Sequence, residues 1–218
     1  MAPGLPVRAA ADARIGGRAV HLFPAQGLAA LAARHSCRQR EVGAVGLEIN
    51  AFETASALAA RLGAQCSYLA APLYAGSARS RDTIVAQDVF QEAFRQMAAN
   101  DLALLSVGDL STRSLLVRYG LPKDVSVASL RKARAVGDIT GQFLDRHGKP
   151  VRHALNQRVV APFVTELARI PTVVVASGGE NKAPIIAAVL FAKLLSVLIC
   201  DEKTARTALR LHESLGER

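Results

Sequence analysis

Aliphatic runs alternate with amphipathic stretches along most of this chain. Residues 42–49 and 66–71 read as strands, with a helix over 50–62 between them, because Phe52, Ala55, Leu58, Ala59 and Leu62 recur on one helical face. Asn50 and Glu53 stand at capping-box spacing, and Gly63 follows the last apolar position. Pro72 ends the second strand. Residues 76–83 are polar, rich in Arg and Ser, and read as a loop. Asp88 then caps a helix through Met97, with Val89, Phe90, Ala93, Phe94 and Met97 on its apolar face. Residues 102–107 form a buried strand running into Gly108-Asp109-Leu110, and Asp124 opens a short helix to Arg134. The last two strands cover 173–176 and 194–199. Pro184 begins the helix between them, and Asp201 caps a final helix carrying Ala205, Leu209 and Leu211. The N-terminal 35 residues fit this scheme poorly; 27–33 reads as a helix, and Gly16-Gly17-Arg18 marks a turn.

Strands that alternate with helices predict βαβ units and an α/β fold with a mainly parallel sheet. The composition agrees. Half of the 218 residues are apolar, yet aromatics are only 5% and Trp is absent. Such a core is built from Ala, Val, Leu and Ile, as helices packed on a parallel sheet require. No apolar run is long enough to span a bilayer, and the first 33 residues lack the hydrophobic region of a secretion signal. Cys37, Cys66 and Cys200 are scattered and without CxxC spacing, which favours reduced thiols and a cytoplasmic location over a disulfide framework or a zinc site.

The net charge of +9 raises the question of nucleic acid. Residues 113–158 carry ten Lys or Arg against Asp124, Asp138 and Asp145, and residues 1–40 carry six Arg against Asp12. Neither stretch has a zinc-finger, RNA-recognition or basic-zipper pattern, and no aromatics interleave to stack bases. A solvated, Arg-rich surface accounts for the charge, and the chain alone is expected to bind DNA weakly and without sequence preference.

The chemistry concentrates after residue 135. The strand at 173–176, then Ser177-Gly178-Gly179, Glu180-Asn181-Lys182 and Pro184, make a strand–turn–helix with an ammonium at the helix start. Backbone N–H groups and Lys182 there suit a phosphate or another small anion. The unit is neither a Walker A loop nor a GxGxxG fingerprint, and by spacing alone it also reads as an ordinary turn between strand and helix. Asp138, in Gly137-Asp138-Ile139, is free to accept hydrogen bonds from sugar hydroxyls; the other reading is a turn cap. Gly108 closes a strand that would end at the same edge, and ligands of open α/β sheets bind outside the carboxyl ends of the strands. The five histidines, His21, His35, His147, His153 and His212, have no ligand spacing and no Ser or Cys partner. No catalytic residue, metal site or cofactor is assigned. Asp109, Asp138, Asp145 and Glu180 are the carboxylates near the proposed edge.

These motifs, AVGDITGQFLDRHGKPV at 135–151, LNQRV at 155–159, IPTVVVASGGENKAPIIAAVL at 170–190 and LICDEKTARTAL at 198–209, resemble the effector-binding domain of the SorC/DeoR-type sugar-binding transcriptional regulators. The similarity runs from about Glu41 to the C-terminus. It implies a Rossmann-like three-layer α/β/α domain of the glucosamine-6-phosphate deaminase and ribose-5-phosphate isomerase kind, with 1–40 a divergent N-terminal segment and 41–218 the effector domain. It implies a phosphorylated sugar or related small effector, a homo-oligomer, and DNA contact through a helix-turn-helix module that has no counterpart before Glu41. By matched position Asp138 would hold effector hydroxyls, Lys182 a phosphate oxygen, Gly178 and Gly179 the turn around it, and Gly108 the pocket border. The family's early Gly-x-Thr phosphate turn has its nearest match in Gly16-Gly17-Arg18-Ala19, where Ala replaces the hydroxyl. An isomerase or deaminase on the same fold is the alternative, since one fold hosts many functions.

Overall fold

The computed structural model describes residues 20–22, 29–31, 51–61, 66–69 and 71–216. In chain order they form β1 (Val20–Leu22), β2 (Ala29–Leu31), α1 (Ala51–Arg61), β3 (Cys66–Tyr68), α2 (Ala78–Val85), α3 (Asp88–Ala98), β4 (Leu102–Leu105) and β5 (Val107–Gly108). Then follow α4 (Val127–Lys132), β6 (Gly137–Ile139), β7 (Gln142–Leu144), α5 (Val164–Leu167), β8 (Thr172–Ala176), α6 (Ala183–Phe191), β9 (Val197–Ile199) and α7 (Glu202–Gly216). The strand expected at 42–49, the Asn50 cap, Gly63 and the Gly16–Ala19 turn lie outside the described residues.

The larger sheet has the order β3-β1-β2-β4-β8-β9. Its β4, β8 and β9 are parallel, in the register Leu105↔Val175 and Val175↔Leu198, as expected for βαβ units. The sheet as a whole is mixed, because β2 runs antiparallel to both β1 and β4. Residues 29–31 are thus a strand where the sequence pattern suggests a helix; tertiary pairing overrides a local preference for so short and Ala-rich a segment. Ala103 and Leu105 of β4 and Val173 and Val175 of β8 point into one core with Ile185, Ile186 and Val189 of α6 and Ala208 of α7. α6 is apolar throughout, and Ala183 and 185–189 are all buried. A helix without a polar face must be covered on every side. The large sheet, the small sheet and α7 cover it.

Further expectations change. The strand expected at 102–107 divides at Ser106, because β5 leaves the large sheet and pairs antiparallel with β6 in a second sheet of order β5-β6-β7. The loop expected at 76–83 contains most of α2, whose start is fixed by Ser77 Oγ accepting from Ser80 N at 3.1 Å. Asp124 does not cap α4. Ser126 does, while Asp124 takes an ion pair from Arg158 at 2.8 Å. In α7 the inward residues are Thr204 and Ala208, whereas Leu209 and Leu211 are 46% and 37% exposed. Asp201 does cap that helix, and the cap sets its rotation. The α3 helix, the start of α6 near Pro184 and strand β8 stand within a residue or so of their expected positions, but Asp88 is the first residue of α3 and not its cap, which is Gln87, and the strand expected at 194–199 covers only 197–199.

Candidate functional site

The crossover at Ser106 builds one wall of the site. Gly108 pairs with Asp138 across β5 and β6, so close that a Cβ on Gly108 would collide with Asp138 Oδ1. β6 and β7 are joined by a two-residue turn, Thr140-Gly141, both with positive φ. Asp138 Oδ2 accepts from Gly141 N at 3.1 Å and so holds that turn. Its Oδ1 is buried without a partner among the described residues. The turn-cap reading of Asp138 thus holds for one oxygen, while the other packs against Gly108 without a hydrogen-bond partner. Tyr74 packs alongside and donates to Gly141 O at 2.7 Å, its phenol pushed up by burial and by the Asp138 charge.

Burial pushes the Asp138 carboxyl up to about 7, and the neighbouring Asp109 adds to this while the Gly141 N–H and Lys182 oppose it. Asp109 is only 3% exposed. Its Oδ2 accepts from Asn181 Nδ2 at 2.7 Å, and its Oδ1 is buried without a partner. Lys182 Nζ donates to Ser177 Oγ at 3.2 Å, and Ser106 Oγ donates to the same hydroxyl at 3.3 Å. Gly108, Asp109, Asp138, Ser177, Asn181 and Lys182 thus meet where β5 and β8 end, beside the middle of β6. Three segments far apart in sequence converge there, as the parallel pairing of β4 and β8 dictates.

The Gly178-Gly179 turn faces a second wall. Gly179 N donates to both Asp201 Oδ2, at 3.0 Å, and Thr204 Oγ1, at 2.9 Å. Asp201 also accepts from Thr204 N at 2.9 Å and from the Thr204 hydroxyl at 2.7 Å. These hydrogen bonds, that of the Thr204 side chain first, hold the Asp201 carboxyl down at about 2. A Cβ on Gly178 would sit 2.8 Å from Asp201 Oδ2, and Gly179 has φ of 104°. The turn therefore needs its glycines to dock on the α7 N-terminus, and the Gly179 N–H is spent on that docking. The sequence pattern predicted the turn and the Asp201 cap but not that they bind each other.

Other singled-out residues serve the frame. Asp145 Oδ1 accepts from His147 N at 2.8 Å and from Lys149 N at 3.0 Å, closing the turn after β7. Glu180 pairs with the exposed Lys203 at 2.7 Å. His147 and His212 lie edge-on to Phe191, and His153 Nδ1 accepts from Leu155 N. Asn156, inside the LNQRV motif, completes the edge of β7 by accepting from Phe143 N and donating to Phe143 O. Among the described residues no group of three or more His, Cys, Asp or Glu gathers around a metal-sized space, and no helix is long and apolar enough to cross a membrane. A cavity of about 700 Å³ lies elsewhere, between α2, α3 and α5, lined by Arg81, Phe94, Phe163 and Glu166 among others. It contains none of the residues predicted for the site.

Residues 41–210 match the family model Sugar-bind, described as a "Putative sugar-binding domain". The transcriptional regulator LsrR of Klebsiella pneumoniae is 31% identical over 156 residues, covering 69% of this chain and 48% of that protein. The erythritol catabolism regulatory protein EryD of Brucella abortus is 27% identical over 157 residues, covering 72% of this chain and 49% of its own. The chain spans about half the length of these relatives. Among solved structures, the sugar-binding domain of a transcriptional repressor from Vibrio fischeri superposes with a TM-score of 0.67 at 27% identity, covering 76% of this chain and 66% of that one. The chain belongs to the sugar-binding domain family, whose matched relatives are DeoR/SorC-type transcriptional regulators.

Proposed function

We propose that this domain senses a sugar, and specifically a phosphorylated sugar, on behalf of a transcriptional regulator. Asp138 accepts hydrogen bonds from the effector's hydroxyls, Lys182 holds a phosphate oxygen, and Gly108, Gly178 and Gly179 shape the border. The observation that carries this reading is the meeting of Asp138 and Lys182, from segments more than forty residues apart, at one strand-end site in a chain of this family. The larger frame is a Rossmann-like three-layer domain related to sugar-phosphate deaminases and isomerases, with 41–218 as the effector domain and 1–40 as its divergent N-terminal segment. An effector that binds one arrangement of a cytoplasmic homo-oligomer better than another shifts the population between them and so changes operator affinity through a helix-turn-helix module. The relative named for erythritol catabolism places polyols beside sugar phosphates in any screen.

Calorimetry with the phosphorylated and unphosphorylated forms of one sugar tests the assignment. Wild type should prefer the phosphorylated form, and a hundredfold excess over Kd should stabilise the protein by about 2.7 kcal/mol. Lys182→Ala should lose about 1.5–3 kcal/mol of binding for the phosphorylated form alone. Asp138→Ala should instead change the order of preference among sugars. A Lys182→Ala loss that is equal for both forms places the phosphate elsewhere. Catalytic turnover of the bound sugar hands the site to the enzyme alternative.

A further inference from the structure

We propose that Asp109 is a second effector-binding carboxylate, which with Asp138 accepts hydrogen bonds from two neighbouring hydroxyls and so sets which sugars bind. This deepens the sugar-sensing reading above and rests on it. The two carboxylates share an unusual arrangement. Each has one oxygen anchored by the protein, Asp109 Oδ2 by Asn181 and Asp138 Oδ2 by Gly141 N, and each has Oδ1 buried with no partner. Asp109 is 3% and Asp138 6% exposed. They are near enough for the Asp109 charge to act on Asp138, as Asp109 directly follows Gly108, which pairs with Asp138.

No hydrogen bond joins the two carboxyl groups, and when both are ionised each can only accept. Lys182, the nearby cation, spends its described hydrogen bond on Ser177 and forms an ion pair with neither carboxylate. Holding Asn181 in place requires only a neutral acceptor; an amide would do this without burying a second charge beside Asp138. The missing partners are therefore donors brought from outside. A divalent cation is a poor fit, since two carboxylates with no third acidic or imidazole ligand among the described residues fall short of a usual oxygen cage. Two hydroxyls of one sugar or polyol supply two donors, with no charge to desolvate. Asn181 then acts as a positioning residue: it ties the turn that carries Lys182 to the end of β5, so the hydroxyl and phosphate ends of the site share one strut.

Binding is measured for matched pairs of probes: ribose 5-phosphate and 2-deoxyribose 5-phosphate, glucose 6-phosphate and 2-deoxyglucose 6-phosphate, erythritol and butane-1,2,4-triol. Wild type should favour the hydroxyl-bearing member of at least one pair by about tenfold or more. In Asp109→Asn and Asp109→Ala that preference should collapse, while in Asp109→Asn, whose amide oxygen still accepts from Asn181, affinity for the deoxy member stays within about twofold of wild type. The ligand-free Asp109→Asn protein should melt no lower than wild type. The proposal is overturned if both variants keep the preference, if they lose both members of a pair equally, or if wild type binds probes without discriminating within any pair. Should no probe bind wild type, or should Lys182→Ala and Asp138→Ala bind as wild type does, the sugar-sensing reading itself fails and this proposal with it.

Discussion

The two walls of the site treat their carboxylates in opposite ways. On the β5–β6 wall Asp138 is buried, half-partnered and pushed up to about 7; on the α7 wall Asp201 is exposed, accepts from Gly179 and Thr204, and is held down at about 2. A fully partnered carboxylate at a helix N-terminus stabilises the frame. A buried carboxylate with an idle oxygen costs stability, and a fold retains such a group where something outside the chain completes it. The difference separates the groups that hold the site from the groups that use it.

The sharpest way to break the comparison is to vary pH. Asp138 has a folded-state pKa above its unfolded value, so the native protein holds the proton more tightly, and stability falls as pH rises from about 4 to 7. Asp138→Asn removes that dependence. The variant should match wild type near pH 4 and exceed it at pH 8 by a few kcal/mol, read from denaturant melts at each pH. Equal slopes in the two proteins would place the Asp138 titration in the ordinary carboxylate range. The α7 wall should behave in the contrary manner, since Thr204→Val leaves Asp201 and the Gly179 N–H without their hydroxyl and should cost about 1–3 kcal/mol at neutral pH, the cost shrinking as pH falls from about 4 towards 2 and Asp201 takes up its proton. Gly108→Ala joins the two effects: it should lower the melting temperature modestly and abolish effector binding, because Asp138 must leave its place. At the small end, Lys203→Ala removes only an exposed pair with Glu180 and should leave the melting curve unmoved.

Much of this was legible in the residues. The runs LALL and TVVVA announce parallel core strands, Pro184 opens a helix and Asp201 caps one, because each signal is local and backbone-driven. Asp138, Lys182 and Gly108 could be named as candidates, and the fold brings them together. What could not be read is pairing. The docking of Gly179 on Asp201 and Thr204, and the Asn181 bridge to Asp109, join positions that no spacing connects. Nor does a stretch of β-prone residues reveal that its last two will leave for another sheet, as happens at Ser106. The polar segment at 76–83 misled for a related reason: ARSRDTIV forms a helix because Ser77 caps it and Arg81 Nε reaches Val159 O, a contact from nearly eighty residues away.

α6 has one more consequence. Its amides lie behind the sheet on one side and α7 on another, and nothing along Ala183–Val189 except Pro184 reaches solvent. No local fraying can expose the middle of such a helix to deuterium; exchange there must wait until the whole assembly around it comes apart. Its protection factors are thus a gauge of the domain's global unfolding free energy. A sugar that binds at the helix's first turn should slow exchange along its whole length by one common factor, and that factor reads out the affinity.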